Sequence, residues 1–140
     1  MINDPETSPG FLLWHVTLRW QRAIAAALAP LGLTHVQFVL LASTWWLNTH
    51  GETDPNQLTL ARQAGTDVKM TSQVLAKLEA KQLVRRDVDP ADTRAKRLRV
   101  TDAGAELARR SIDVVEAVDA TFFGQAPDRS ALMRQLAALR

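Results

Sequence analysis

Leu83-Val84-Arg85-Arg86-Asp87-Val88 and Lys96-Arg97-Leu98-Arg99-Val100, joined through Asp89-Pro90-Ala91-Asp92-Thr93-Arg94, decide how this chain folds. The second run places Leu98 and Val100 on one face and Arg97 and Arg99 on the other, the two-residue period of a strand. The first run alternates in part. The joining segment is turn chemistry, with Pro and Asp at positions where the backbone must reverse. The pair reads as a β-hairpin with a long basic tip. From residue 85 to 99 there are six basic and three acidic side chains. Over residues 57–104 the count is ten Lys or Arg against six Asp or Glu, while the remainder carries seven against nine. A basic stretch alone reads equally well as a solvated face, so the neighbouring elements must decide.

Upstream of the hairpin, residues 68–81 have helical spacing, with Thr66 or Asp67 as cap. Met70, Val74, Leu75 and Leu78 form one apolar stripe. Lys69, Ser72, Gln73, Ala76, Lys77 and Ala80 form the opposite face. At about 100° per residue Thr71 falls on the apolar side, so it is no surface reader. Gly65 closes a short helix over 55–64, which Asp54 caps and Pro55 opens in its first turn. Its Leu58, Leu60 and Ala61 should face inward. Short helix, tight glycine turn, amphipathic helix and basic hairpin make a winged helix-turn-helix over residues 54–101.

The mechanics of that unit account for the residue types. Its second helix enters the major groove, so the outward face must be small and polar. Ser72 and Gln73 can hydrogen-bond base edges, and Lys69 and Lys77 can reach guanine or phosphate. Arg94, at the hairpin tip, is placed for the minor groove, where negative potential concentrates. Arg85, Arg86, Lys96, Arg97 and Arg99 are candidates for phosphate.

Around this unit lie helices over 11–29, 35–47, 102–121 and 128–139. In the first, Phe11, Trp14, Leu18, Ala25 and Leu28 recur at helical steps. The second is apolar over most of its circumference. Thr34 and Thr101 are N-caps; Pro30, Gly32, Gly124 and Pro127 are breaks. The fold class is mainly α with a small β-hairpin wing, in the order α-α-α-α-β-β-α-α, as one chain over residues 1–140.

Asp89-Pro90-Ala91-Asp92-Thr93-Arg94-Ala95-Lys96 followed by Val100-Thr101-Asp102-Ala103-Gly104 resembles the MarR family of bacterial transcription regulators. The likeness lies in an Asp-x-Arg wing tip and a Leu-Thr-x-x-Gly-like entry to the next helix. Leu78-Glu79-Ala80-Lys81-Gln82-Leu83-Val84 is similar to the family's end of the recognition helix, with Gln82 where the family usually has Gly. That exchange leaves the helix without its usual left-handed cap. The resemblance implies that Arg94 enters the minor groove and that Asp92 holds it in position. It implies an obligate homodimer, with residues 10–48 and 102–140 as the helical dimerisation region, bound to a pseudo-palindromic operator in double-stranded DNA. It also implies a repressor released by a small aromatic or phenolic ligand. Trp14, His15, Arg19, Phe38 and Trp45 are the candidate ligand residues, although the same rings could simply build the dimer core.

Composition closes other routes. With 140 residues, 46% hydrophobic and 23% charged, the chain is sized for one globular domain plus a dimerisation arm. The absence of cysteine removes disulfides, thiol redox sensing and thiolate metal sites. His15, His35 and His50 lack metal-ligand spacing. No cofactor motif, glycine-rich phosphate loop or nucleophile triad is present, so an enzyme is not expected. No apolar run suits a membrane, and the acidic N-terminus lacks the features of a signal peptide, which places the protein in the cytoplasm. The remaining alternatives are a winged-helix protein-interaction module and a non-specific architectural DNA-binding protein without an effector.

Overall fold

The computed structural model describes residues 4–92 and 96–140. In chain order its elements are α1 (Pro9–Leu28), α2 (His35–His50), α3 (Gln57–Ala64), α4 (Val68–Ala80), β1 (Val84–Val88), β2 (Lys96–Val100), α5 (Asp102–Phe123) and α6 (Arg129–Leu139). The strands form a two-stranded antiparallel sheet in which Val84 faces Val100 and Val88 faces Lys96. The expected element order holds throughout.

Caps set the helix ends. Thr34 and Gln37 form a capping box on α2. Asp67 accepts from the Met70 N–H at 2.7 Å to start α4, and Thr101 accepts from the Gly104 N–H at 3.0 Å to start α5. α3 departs from expectation. Asn56, not Asp54, is its cap, accepting from the Thr59 N–H at 2.9 Å. Asp54 and Pro55 serve the hairpin instead. The Pro55 carbonyl accepts the Leu98 N–H at 2.8 Å, so the outer edge of β2 finds a partner.

The core gathers Ile24 and Leu28 from α1, Leu40 and Leu41 from α2, Leu60 from α3, Leu75 and Leu78 from α4, and Leu98 from β2, all fully buried. Ala108 and Val115 of α5 complete the cluster. Each such leucine contributes about 1.5–3 kcal/mol on leaving water. Polar groups inside are satisfied: Thr44 donates to the Leu40 carbonyl at 2.7 Å and Ser111 to that of Ala108 at 3.1 Å. α2 packs against α1, α3, α4, β2 and α5, which explains its nearly all-round apolarity.

Five expected core positions are surface. Leu58 and Met70 are 49% and 43% exposed. α3 has only two turns, and Leu60 and Ala61, with the partly buried Ala64, fill its inward row. In α4, Thr71 takes the inward place of the first turn. In α1, Phe11 and Trp14 are exposed, as is Ala25; the buried positions are Ile24 and Leu28, with Trp20 packed one turn before them. The N-terminal half of α1 therefore presents Phe11, Leu12, Leu13, Trp14 and Val16 to the surface.

The end of α4 corrects a further expectation. Gln82 adopts φ 61°, the left-handed cap conformation, without being glycine. The Leu83 N–H reaches the Leu78 carbonyl at 3.0 Å and the Gln82 N–H reaches that of Glu79 at 2.9 Å, the paired bonds of a Schellman ending. Burial of Leu83 and the bond from the Thr101 hydroxyl to the Gln82 carbonyl, 2.7 Å, over-determine this turn.

Candidate nucleic-acid interface

α4 divides cleanly. Val74, Leu75 and Leu78 are buried with Thr71, whose hydroxyl is 2.7 Å from the Asp67 carbonyl and 2.6 Å from the Thr66 hydroxyl. Thr71 is thus structural, as its helical position predicted. Lys69, Ser72, Gln73, Ala76, Lys77 and Ala80 are all exposed. Gln73, Ala76, Lys77 and Ala80 line one shallow open concavity. Among the described residues, Lys69, Ser72, Gln73 and Lys77 have no side-chain hydrogen bond or ion pair within the protomer. Two small alanines among unengaged donors suit close approach to a groove floor.

Two polar anchors hold the hairpin, one tying it to the helical body and one within the hairpin itself. The Asn48 amide, near the end of α2, donates to the Leu98 carbonyl at 3.0 Å and accepts from the Val100 N–H at 2.9 Å. It thereby extends the ladder as a strand would. Its Nδ2 also donates to Asp54 at 2.9 Å, and Asp54 takes a bond from Arg99 at 3.0 Å. The second anchor is Asp89, a buried carboxylate sequence reading did not single out. It accepts from the Ala91 N–H at 2.9 Å and from Arg97, Nε at 2.9 Å and Nη2 at 2.8 Å. These bonds, the Ala91 N–H foremost, hold its carboxyl below the usual carboxylate range against the opposing effect of burial. A buried acidic residue opening a turn, facing a strand arginine, was the available signal.

Consequently the basic residues of the hairpin are not equivalent. Arg97 is committed to Asp89 and to the Asp54 carbonyl, 3.1 Å. Arg85 and Arg99 lie directly opposite each other, a repulsive pair that Asp87 (3.2 Å from Arg85) and Asp54 offset. Arg86 pairs with Leu98 in the register and points to the core side, where Glu79 and Gln57 receive it. Lys96 is exposed. The Asp92 N–H donates to the Asp89 carbonyl at 3.2 Å, closing the turn. Arg94 lies outside the described residues.

A third polar junction joins α1, α2 and α5. The Trp20 indole donates to Asp119 at 2.8 Å, and its ring meets His35 edge-on with centroids 5.1 Å apart. Burial pushes His35 below its ordinary 6.5, with Asp119 partly opposing that shift. Beside it an open cleft runs between α1, α2 and the α3–α4 turn, lined by Gln21, His35, Val36, Val39, Ala64 and Thr66.

Known proteins carry the same sequence pattern and architecture. The family model described as the MarR family matches residues 33–96. A Bacillus subtilis relative, the uncharacterized HTH-type transcriptional regulator YdcH, is 44% identical over 124 residues, covering 89% of this chain and 84% of its own. The chain belongs to the MarR family. Another MarR-family protein, Rv2887 of Mycobacterium tuberculosis, solved in complex with salicylic acid, superposes with a TM-score of 0.73 at 31% identity over the full length of both chains. The repressor CouR of Rhodococcus jostii, bound to a 23-mer DNA duplex, superposes with a TM-score of 0.83 at 25% identity, covering 99% of this chain and 96% of that one.

Within this MarR chain the five ligand candidates do not share one cavity of the protomer. Trp14 and His15 lie exposed on α1, His15 against the edge of Phe11 at 4.5 Å. Arg19 sits 5.7 Å over the Phe122 ring. Phe38 and Trp45 are half-buried against the core. Of the five, Arg19 alone lines the apolar groove formed with Leu12, Val16, Phe122, Phe123 and Leu136. Among the described residues no single helix is long and apolar enough to cross a membrane.

Proposed function

We propose that this chain is a homodimeric, sequence-specific DNA-binding transcriptional regulator of the cytoplasm, not an enzyme, and that it represses until a small aromatic ligand releases it. The observation that carries the reading is the unengaged polar face of α4, set beside a hairpin rich in arginine. Lys69, Ser72, Gln73 and Lys77 would face the major groove. Arg94, positioned by Asp92, would enter the minor groove, with Lys96 and Arg85 at the phosphates. CouR bound to duplex DNA supports the first half and Rv2887 holding salicylic acid the second.

Residues 10–48 and 102–140 would form the dimerisation region and 54–101 the DNA-binding region. Support for the dimer is the surface on α1 and α6. There Leu12, Leu13, Val16, Met133, Leu136 and Leu139 are 42–84% exposed, an apolar area of the kind that marks an interface. Closing it against a second copy would cover the groove beside Arg19. An aromatic carboxylate fits there, with its ring among Val16 and Phe122 and its charge on the guanidinium. Trp14, His15, Phe38 and Trp45 would contribute walls from the adjoining helices.

The test is fluorescence anisotropy on DNA from upstream of the protein's own gene against a scrambled duplex, at two salt concentrations, with and without salicylate. Selective binding by a dimer, weakened by salicylate or a related aromatic acid, is expected. Equal affinity for both duplexes, falling steeply with salt, would instead identify an architectural binder. No binding at low salt would favour the interaction module.

A further inference from the structure

Arg86 sits where a basic wing residue is expected to seek phosphate, yet it turns the other way. Strand alternation puts it on the side of Val84, Leu98 and Val100, which faces the core. Its guanidinium is engaged by two partners: Nε donates to the Glu79 carboxylate and Nη1 donates to the Gln57 Oε1 at 3.3 Å. Gln57 in turn donates from Nε2 to the Val68 carbonyl at 3.3 Å. Val68 is the first residue of α4 and Glu79 the last but one. Those residues lie about 16 Å apart along the axis at 1.5 Å rise per residue. One hydrogen-bonded chain therefore runs from the hairpin to both ends of the recognition helix, with the N-terminus of α3 as its middle link.

We propose that Arg86 is a positioning residue that sets the tilt of α4 against the hairpin, and through it base selectivity, and that it is not a phosphate contact. The inference rests on the DNA-binding reading above and names the internal frame behind it. A helix held at one end can pivot; held at both, it presents Ser72, Gln73 and Lys77 in one orientation. Base-edge hydrogen bonds need that constancy, because a functional side chain displaced by more than about 0.5 Å loses its geometry. Phosphate contacts tolerate more. The ion pair is 28% and 34% exposed, so its energy is modest and its value is geometric. Arginine is required: its planar fork serves Glu79 and Gln57 together, whereas a lysine ammonium is a single point donor.

Arg86→Lys and Gln57→Ala separate the two roles. The first keeps the charge; the second removes none and buries nothing new. Both are titrated, with the wild type, against a duplex recovered by selection from random-sequence DNA and against a scrambled duplex, over a salt series. The expected result is a loss of selectivity of roughly tenfold, the scale of one well-made base contact, from weaker binding to the selected duplex alone. The dependence on salt should stay unchanged. Full retention of affinity and selectivity by either variant would overturn the inference. So would an Arg86→Gln variant that weakens both duplexes alike and lowers the salt slope by about 0.9, the signature of one lost phosphate contact. Amide exchange along α4 in the free protein is a readout independent of DNA: both variants should exchange faster there, and unchanged protection would count against the clamp. A wild type for which selection recovers no preferred duplex would sink the regulator reading, leaving exchange to judge the clamp by itself.

Discussion

Gly104 lies directly against the carbonyl of Leu83: a Cβ on Gly104 would stand 1.9 Å from that oxygen. The first turn of α5 can therefore cross the start of β1 only where no side chain intervenes. The same crossing carries the bond from the Thr101 N–H to the Leu83 carbonyl, 3.0 Å. The glycine of the Val100-Thr101-Asp102-Ala103-Gly104 segment is thus a close-approach residue, and the threonine before it is at once a helix cap and a strand tie.

Gly104→Ala should be among the costliest single-methyl additions in the chain. The obstructing atom is backbone, which cannot rotate away, so α5 must shift from the hairpin. The expected loss is about 3 kcal/mol, at the upper end for overpacking. Urea unfolding measures it; a loss of a few tenths would mean that this crossing is loose in solution.

Gln82→Gly should stabilise the protein. Gln82 holds φ 61°, a conformation that costs a side-chain-bearing residue about 1–2 kcal/mol. Part of the relief is returned as glycine's extra freedom in the unfolded chain, about 0.5–1 kcal/mol. The net gain is expected near 0.5 kcal/mol, read as a small rise in melting temperature. A fall would show that the Gln82 side chain contributes more than its backbone strain costs.

His35 gives the fold a pH dependence. Its folded-state pKa is lowered because burial disfavours the charged ring. A lowered value means the full contribution to stability is present above the ordinary 6.5 and is lost as pH falls through it toward the folded value. Melting curves at pH 7.5 and 5.5 should therefore separate for the wild type and draw together for His35→Gln. An equal separation in both proteins would assign the dependence to other groups.

Asp89 works in the carboxylate range. Its lowered pKa stabilises the hairpin at neutral pH and withdraws that support as acid protonates it. The stability gap between wild type and Asp89→Asn should be constant above about pH 5 and close below about pH 4, where an ordinary aspartate is itself protonated. Arg97 would then be freed from its fork. A gap that persists into acid would mean that the carboxylate's charge is not what secures the turn.

Gln73→Ala and Arg94→Ala should fail differently on DNA. Gln73 is exposed and unengaged on α4 and is proposed as a base reader, so its loss should relax preference between selected and scrambled duplexes. Arg94→Ala should weaken binding by about 1–3 kcal/mol, as for a lost arginine readout. Anisotropy on both duplexes separates them; equal losses in the Gln73 variant would remove it from the reading face.

Much of this molecule is local chemistry, and the sequence by itself determined that much. The element order, the α4 face with Thr71 turned inward, the β2 alternation and the Thr34 and Thr101 caps follow from periods of 3.6 and 2 and from side chains that bond their own backbone. What only the tertiary structure decided depends on partners distant in the chain. Arg86 and Arg97 look alike in sequence to Lys96, yet Glu79 with Gln57 and Asp89 with Asp54 claim them. Asp54 and Pro55 read as a helix start but serve a strand lying 43 residues further on. Gln82 takes a glycine's conformation because Leu83, Leu78 and Thr101 converge on it. Phe11 and Trp14 fit a helical stripe but reach past the core of their own protomer. Periodicity reports which face is apolar, whereas what that face or charge meets is settled only when the chain closes on itself.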